Sequence, residues 1–172
     1  MSGKYTDYIK RERNLTEKIL TVFPEYKGYR EKEVLRETDR LVRDNIYNSL
    51  REIKSDYVGV YRTILGSGGE LGGKAEKILM DLDTISERIH HTTYGYAPQM
   101  NVVQIKEEHI ARLIDFDSSL LDIVSKLRIM MDTQRNNVSN ENTLKLLSDF
   151  DGGLRDLDNM FNLRKNYLMG TP

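Results

Sequence analysis

Apolar residues recur at steps of three and four along most of this chain, and that spacing confines it to helices packed side by side. Leu71, Ala75, Ile78, Leu82, Ile85 and Ile89 hold one narrow stripe through about five turns of helix. Ile46, Leu50, Ile53, Tyr57, Val60 and Ile64 do the same in the preceding segment. Seams this narrow follow a partner helix and leave the remaining faces to solvent. The expectation is an all-α, elongated, mainly antiparallel bundle of four to five helices, forming a single domain over residues 1–172.

Composition supports that architecture. Charged residues make up 31% and aromatics 8%, with no Trp, so the core must be mainly aliphatic. Strand sandwiches draw more heavily on β-branched and aromatic residues. Of the 3 Pro, Pro98 and Pro172 fall outside the helical segments and Pro24 marks a junction, so long helices are permitted. The absence of Cys removes disulfides, Cys-based zinc sites, iron–sulfur ligation and thiol nucleophiles together. No 18-residue apolar run exists, and the N-terminal MSGKYTDYIKRER is too polar for a secretory leader. A soluble cytoplasmic protein is expected. The net charge of -1 supplies no global field for nucleic acid or an anionic membrane. Residues 1–65 carry 14 Lys/Arg against 11 Asp/Glu and the rest 12 against 16, an offset that suits helices attracting one another.

Along the chain, a first helix is expected from Thr6 to Val22, broken by Phe23-Pro24 and Gly28. A long second helix runs from Tyr29 to Leu65, its seam including Leu35, Val42, Ile46, Leu50, Ile53, Tyr57, Val60 and Ile64. The four-residue steps from Val42 to Leu50 form a stutter, and Gly59 is a weak point costing about 1 kcal/mol against Ala. Gly66-Ser67-Gly68-Gly69 ends it, and a third helix follows from Glu70 to Thr93. A turn-rich stretch, Tyr94 to Met100, precedes a fourth helix from Gln104 to Thr133 with Ile110, Leu113, Leu120, Val124, Leu127 and Met131 on one face. Ser139 or Asn140 can cap a fifth helix, Glu141 to Leu168, through Leu144, Leu147, Leu154, Leu157, Phe161 and Leu168. Gly152-Gly153 is expected to kink it.

Several motifs imitate chemistry. Gly68-x-x-x-x-Gly73-Lys74 resembles a phosphate-binding loop, but Ala75 stands where a magnesium-holding Ser or Thr belongs and no strand–helix alternation surrounds it. Glu87-x-x-His90 looks like half of a carboxylate-bridged di-metal site; no second pair exists, and both residues fall on the outer face, as does His91. Glu87 and His90 are the only metal candidates, read by default as solvated groups near a helix end together with His109. Asp149-x-Asp151-Gly152-Gly153 fails as a calcium loop because its sixth and twelfth positions hold Leu154 and Met160. No nucleophile elbow is present, and 27 acidic residues select no catalytic pair. No cofactor and no catalytic residue are expected.

The interruptions of the seams carry more information. Asp117 occupies an apolar position among Leu113, Phe116, Leu120 and Leu121, and Asp39 interrupts the run from Leu35 to Val42. A buried carboxylate needs a partner, for which Arg36, Arg40, Arg43 and the loop tyrosines are available. The structural reading is an ionic network fixing helix register or clamping a loop; the functional one is a polar pocket at one end of the bundle. Four of the 10 Tyr crowd two loops, as Tyr26-Lys27-Gly28-Tyr29 and Tyr94-Gly95-Tyr96, which antiparallel packing brings to one end. They either cap the bundle or form an aromatic docking patch.

Phe23-Pro24-x-Tyr26-x-Gly28-Tyr29-x-x-Lys32-Glu33-x-x-Arg36-x-x-Asp39-Arg40, with Tyr94-Gly95-Tyr96 and Phe116-Asp117-x-x-Leu120-Leu121, resembles an uncharacterised prokaryotic family of helical proteins. The likeness extends to about residue 130 and implies helical architecture, with no activity attached. The functional expectation is a non-enzymatic interaction or scaffold protein that self-associates as a homo-oligomer or docks a protein partner, its seams completed by coiled-coil contacts. The alternative is a ligand- or metal-binding bundle with a polar pocket at the tyrosine end. Nucleic acid is not expected as a partner, and mixed charges disfavour membrane association.

Overall fold

The structure, a computed structural model, describes residues 32–65, 69–93, 95–96, 107–134 and 140–170. The first expected helix, Thr6 to Val22, lies outside these residues, as do Tyr26, Gly28, Tyr29, Tyr94 and the side chains of Leu35 and Ile110. Four helices are present: α1 (Lys32–Leu65), α2 (Glu70–His91), α3 (Glu107–Gln134) and α4 (Asn140–Met169). No strand occurs among the described residues. With 34 residues and no Pro, α1 extends about 50 Å at the helical rise per residue.

The turns follow local chemistry. Gly69, at φ 79°, takes the left-handed backbone that reverses the chain between α1 and α2. Gly170, at φ 70°, closes α4, its N–H donating to the Tyr167 carbonyl at 3.2 Å. Arg88, His90 and His91 occupy the last turn of α2, where a cation complements the exposed carbonyls.

Two helical hairpins, α1–α2 and α3–α4, lie side by side. Within each the helices are antiparallel: Arg43 meets the carbonyls of Ile89 and His90 while Tyr57 meets Ala75, and Asp117 meets Arg164 while Leu127 lies against Gly153. Between hairpins the neighbours are parallel. Glu52 pairs with Arg128 across α1 and α3, and Lys77 pairs with Asp151 and Arg88 with Asp158 across α2 and α4. The finish of α2 and the start of α3 therefore lie at the end of the bundle that holds the start of α1 and the finish of α4.

The seams close on one another. Val42, Ile46, Leu50, Ile53, Tyr57 and Ile64 of α1 share one core with Ala75, Ile78, Leu82, Ile85 and Ile89 of α2. Leu120, Val124, Leu127 and Met131 of α3 and Leu147, Phe150, Leu154, Leu157 and Phe161 of α4 complete it. Each fully buried aliphatic side chain contributes about 1.5–3 kcal/mol, so this core supplies the main driving force. Tyr57 donates its O–H to the Ala75 carbonyl at 3.0 Å and stacks on Phe150 at 5.5 Å between ring centroids. Burial, with the neighbouring Tyr61 adding to it, pushes the Tyr57 phenol well above its ordinary range.

The α4 helix runs through the Gly152-Gly153 pair as one element from Asn140 to Met169. Gly153 admits a neighbour: a Cβ there would lie 2.8 Å from Leu127 Cδ2, so the glycine lets α3 approach closely. One expectation for α4 is corrected: Leu144 is exposed, and Thr143 takes the buried position four residues before Leu147. The three–four register counted back from Phe150 and Leu147 lands on 143, and packing obeys that register over side-chain hydrophobicity.

Candidate functional site

The seams of α1, α3 and α4 all carry a charged residue at the same level of the bundle. In α4 the order Leu154, Leu157, Phe161, Arg164, Leu168 keeps the three–four register, so Arg164 points where a Leu would. Asp39 stands three residues before Val42, and Asp117 lies between Leu113 and Leu120. The helices bring the three together. Arg164 Nε donates to Asp117 Oδ1 at 2.5 Å, and its Nη1 donates to Asp39 Oδ1 at 2.5 Å. Exposure is 1% for Arg164, 2% for Asp39 and 7% for Asp117, so none of these charges has recourse to bulk water.

A second arginine extends the network. Arg43 Nε donates to Asp39 Oδ2 at 3.1 Å, while its Nη1 reaches the His90 carbonyl at 2.9 Å and the Ile89 carbonyl at 3.5 Å. Arg43 thus satisfies terminal carbonyls of α2 and fastens them to α1. Among the described residues, two guanidinium groups face two carboxylates in this layer. Burial pushes the Asp117 carboxyl above the usual carboxylate range, opposed by the charge and hydrogen bond of Arg164 and reinforced by Asp39.

Tyr96, beyond the end of α2, completes this end. Its phenol is pushed up to about 12, first by burial and then by the Asp39 charge, with Arg164, Arg43 and Arg36 pulling the other way. The exposed Arg36 places its guanidinium carbon 5.3 Å from the centroid of the Tyr96 ring. Of the residues singled out in sequence, Asp39, Asp117, Arg36 and Tyr96 therefore converge. Arg40 is exposed and pairs with Asp44 at 3.7 Å.

A second cluster lies on the same end. Glu87, as expected, is exposed; His90 is not on an outer face but half-buried against α1, its ring stacked on Tyr47 at 4.2 Å between centroids. Tyr47 also donates its O–H to Glu87 Oε1 at 3.2 Å, and His91 Nε2 lies 3.2 Å from Glu87 Oε2. His109 is not simply solvated either: its Nδ1 is 2.7 Å from the Tyr167 hydroxyl. The glycine-rich decoy does not form a phosphate loop. Gly72, Gly73 and Lys74 are already helical within α2, Lys74 pairs with Glu70 at 2.8 Å, and Tyr57 to Tyr61 lie in α1 rather than in a strand.

Sequence reasoning missed Arg164, the central group of the layer. The signal was present in the seven-residue gap between Phe161 and Leu168, whose intermediate seam position holds a cation. Comparison of the chain with family models, with curated proteins and with solved structures finds no match.

Proposed function

We propose that this protein is a non-enzymatic helical interaction or scaffold module that offers the tyrosine-bearing end of its bundle to a protein partner, a second copy of itself included. The observation that supports this reading is the internal pairing of Asp39, Asp117, Arg43 and Arg164. A general acid or base must face a substrate, whereas these groups face each other between helices. They stiffen one end of the bundle, where the exposed Arg36 lies over the Tyr96 ring and Arg40 is exposed one turn further along α1. Tyrosine and arginine are the residue types that most often dominate binding energy when a partner covers them.

The apolar seams favour docking at the end over docking along the length. They are filled by helices of the same chain, so a coiled-coil partner has little apolar surface to gain there. Exposed large apolar side chains are spread over all four helices, as Leu41, Leu65, Met80, Ile129, Leu144 and Leu163. No described helix is long and apolar enough to cross a membrane. A chain without Cys suits a reducing cytoplasm, and a net charge of -1 speaks against nucleic acid or an anionic membrane as partner.

Two measurements test the proposal together: sedimentation over a range of concentrations, and capture of partners from native lysate with the full chain and its Tyr96→Ala variant. The expected result is self-association or a captured protein that the variant loses while keeping its helical content. A chain that stays monomeric and captures nothing beyond what Tyr96→Ala captures would overturn the reading.

A further inference from the structure

We propose that the last turn of α2 binds a divalent first-row transition ion through Glu87, His90 and His91. The inference stands on this cluster alone and does not depend on the interaction reading. On a helix, residues separated by three and four share one face, so a carboxylate at 87 and imidazoles at 90 and 91 converge without any loop. One ligand atom from each lies within 4.8 Å of the others. Bonds of about 2.0–2.2 Å place the donors of one ion no more than about 4.4 Å apart, so a small rotation of the exposed Glu87 and His91 side chains completes the site.

The surroundings are those of a held ligand set. Tyr47 fixes two members from a single ring, stacking on His90 and hydrogen-bonding Glu87. Asp44 Oδ1 lies 3.5 Å from His90 Nε2, and a carboxylate beside one imidazole nitrogen orients the ring. That other nitrogen, His90 Nδ1, is shut off from water and has no hydrogen-bond partner among the described residues. A polar atom in that condition is unfavourable unless something else satisfies it, and a cation does so for a bare ring nitrogen. Two imidazoles and a carboxylate make a borderline donor set suited to zinc and its neighbours.

Charge works in both directions. Glu87 and Asp44 attract a cation, as does the carbonyl end of α2. Arg43, seated on the Ile89 and His90 carbonyls, opposes it. A di-metal centre would need inward-facing pairs from several helices, whereas a single ion needs only this one turn and its neighbour α1.

The test is calorimetric titration of the full, untagged, chelator-stripped chain with Zn²⁺, repeated for Glu87→Gln, His91→Ala and His109→Ala. Glu87 and His91 are exposed, so their variants keep the fold, which helical content checks. The expected result is saturable uptake of one ion per chain, weakened about tenfold or more by Glu87→Gln and by His91→Ala and unchanged by His109→Ala. Absence of saturable uptake, or uptake that the Glu87 and His91 variants leave intact, would overturn the proposal.

Discussion

Arg164 and Asp39, 125 residues apart in the chain, meet Nη1 to Oδ1 at 2.5 Å in the interior of the bundle. The contact crosses the diagonal between α4 and α1, so it joins the two hairpins where no turn connects them. Asp117 holds the same guanidinium from α3, and Arg43 holds Asp39 from the other side while fastening the end of α2. All four helices are thereby tied at one level. An apolar layer would pack there as well, but hydrocarbon contacts tolerate sliding, whereas a guanidinium between two carboxylates admits one register.

Removing the central cation leaves two carboxylates under-compensated in the core. Arg164→Met is expected to lower unfolding free energy by roughly 3–5 kcal/mol in urea denaturation, the range for breaking a buried ion pair by deleting one partner. A loss below about 1 kcal/mol would mean that water or another cation reaches the layer.

Adjacent glycines in α4 should respond in opposite ways. Nothing lies within 4 Å of a Cβ at Gly152, so Gly152→Ala is expected to raise stability by up to about 1 kcal/mol through helix propensity. At Gly153 the added methyl meets Leu127, and overpacking of about 1–3 kcal/mol offsets that gain. Thermal melts of the two variants decide it: equal stabilisation would contradict the close approach of α3 and α4.

Register in α4 can be checked by paired substitutions. Leu144→Lys lies on the exposed face and is expected to stay within about 0.5 kcal/mol of the parent chain. Leu147→Ala, at a core position, is expected to cost about 2–5 kcal/mol. Comparable effects at the two positions would place the seam elsewhere.

Alkaline titration probes the tyrosine end. The folded-state value for Tyr96 lies above that of a free phenol, so the neutral phenol's contribution to stability is complete below about pH 10 and is lost as pH rises through about 12. Ultraviolet titration should show Tyr96 ionising late, and Tyr96→Phe should remove one late phenol from the curve. A curve in which Tyr96→Phe removes a phenol ionising near the ordinary value would place Tyr96 in open solvent.

The architecture was legible because periodicity is a property of each helix by itself. The seams of α1, α2 and α3 could be read directly, and Asp39 and Asp117 stood out as charges at apolar positions. Their partner could not be deduced by proximity in sequence, since pairing Arg164 with Asp39 depends on which helices lie on the diagonal. α1 offers cations to both carboxylates, and Arg43 does serve Asp39, but Asp117 takes its cation from α4. Leu144 misled because hydrophobicity outweighed phase in its assignment. His90 looked outward on a single-helix projection; only the position of Tyr47 on α1 turns that side into an interior.

The most direct test of the clamp is a double-mutant cycle on Arg164→Met and Asp117→Leu, measured by urea denaturation. Each single change strands a buried charge, while the double change leaves Asp39 with Arg43 and an apolar pair in place of the other two. The clamp predicts that the double variant is more stable than the sum of the single losses allows, by roughly 1–3 kcal/mol. Losses that add to within about 0.5 kcal/mol would show that Arg164 and Asp117 act independently, and would contradict the account.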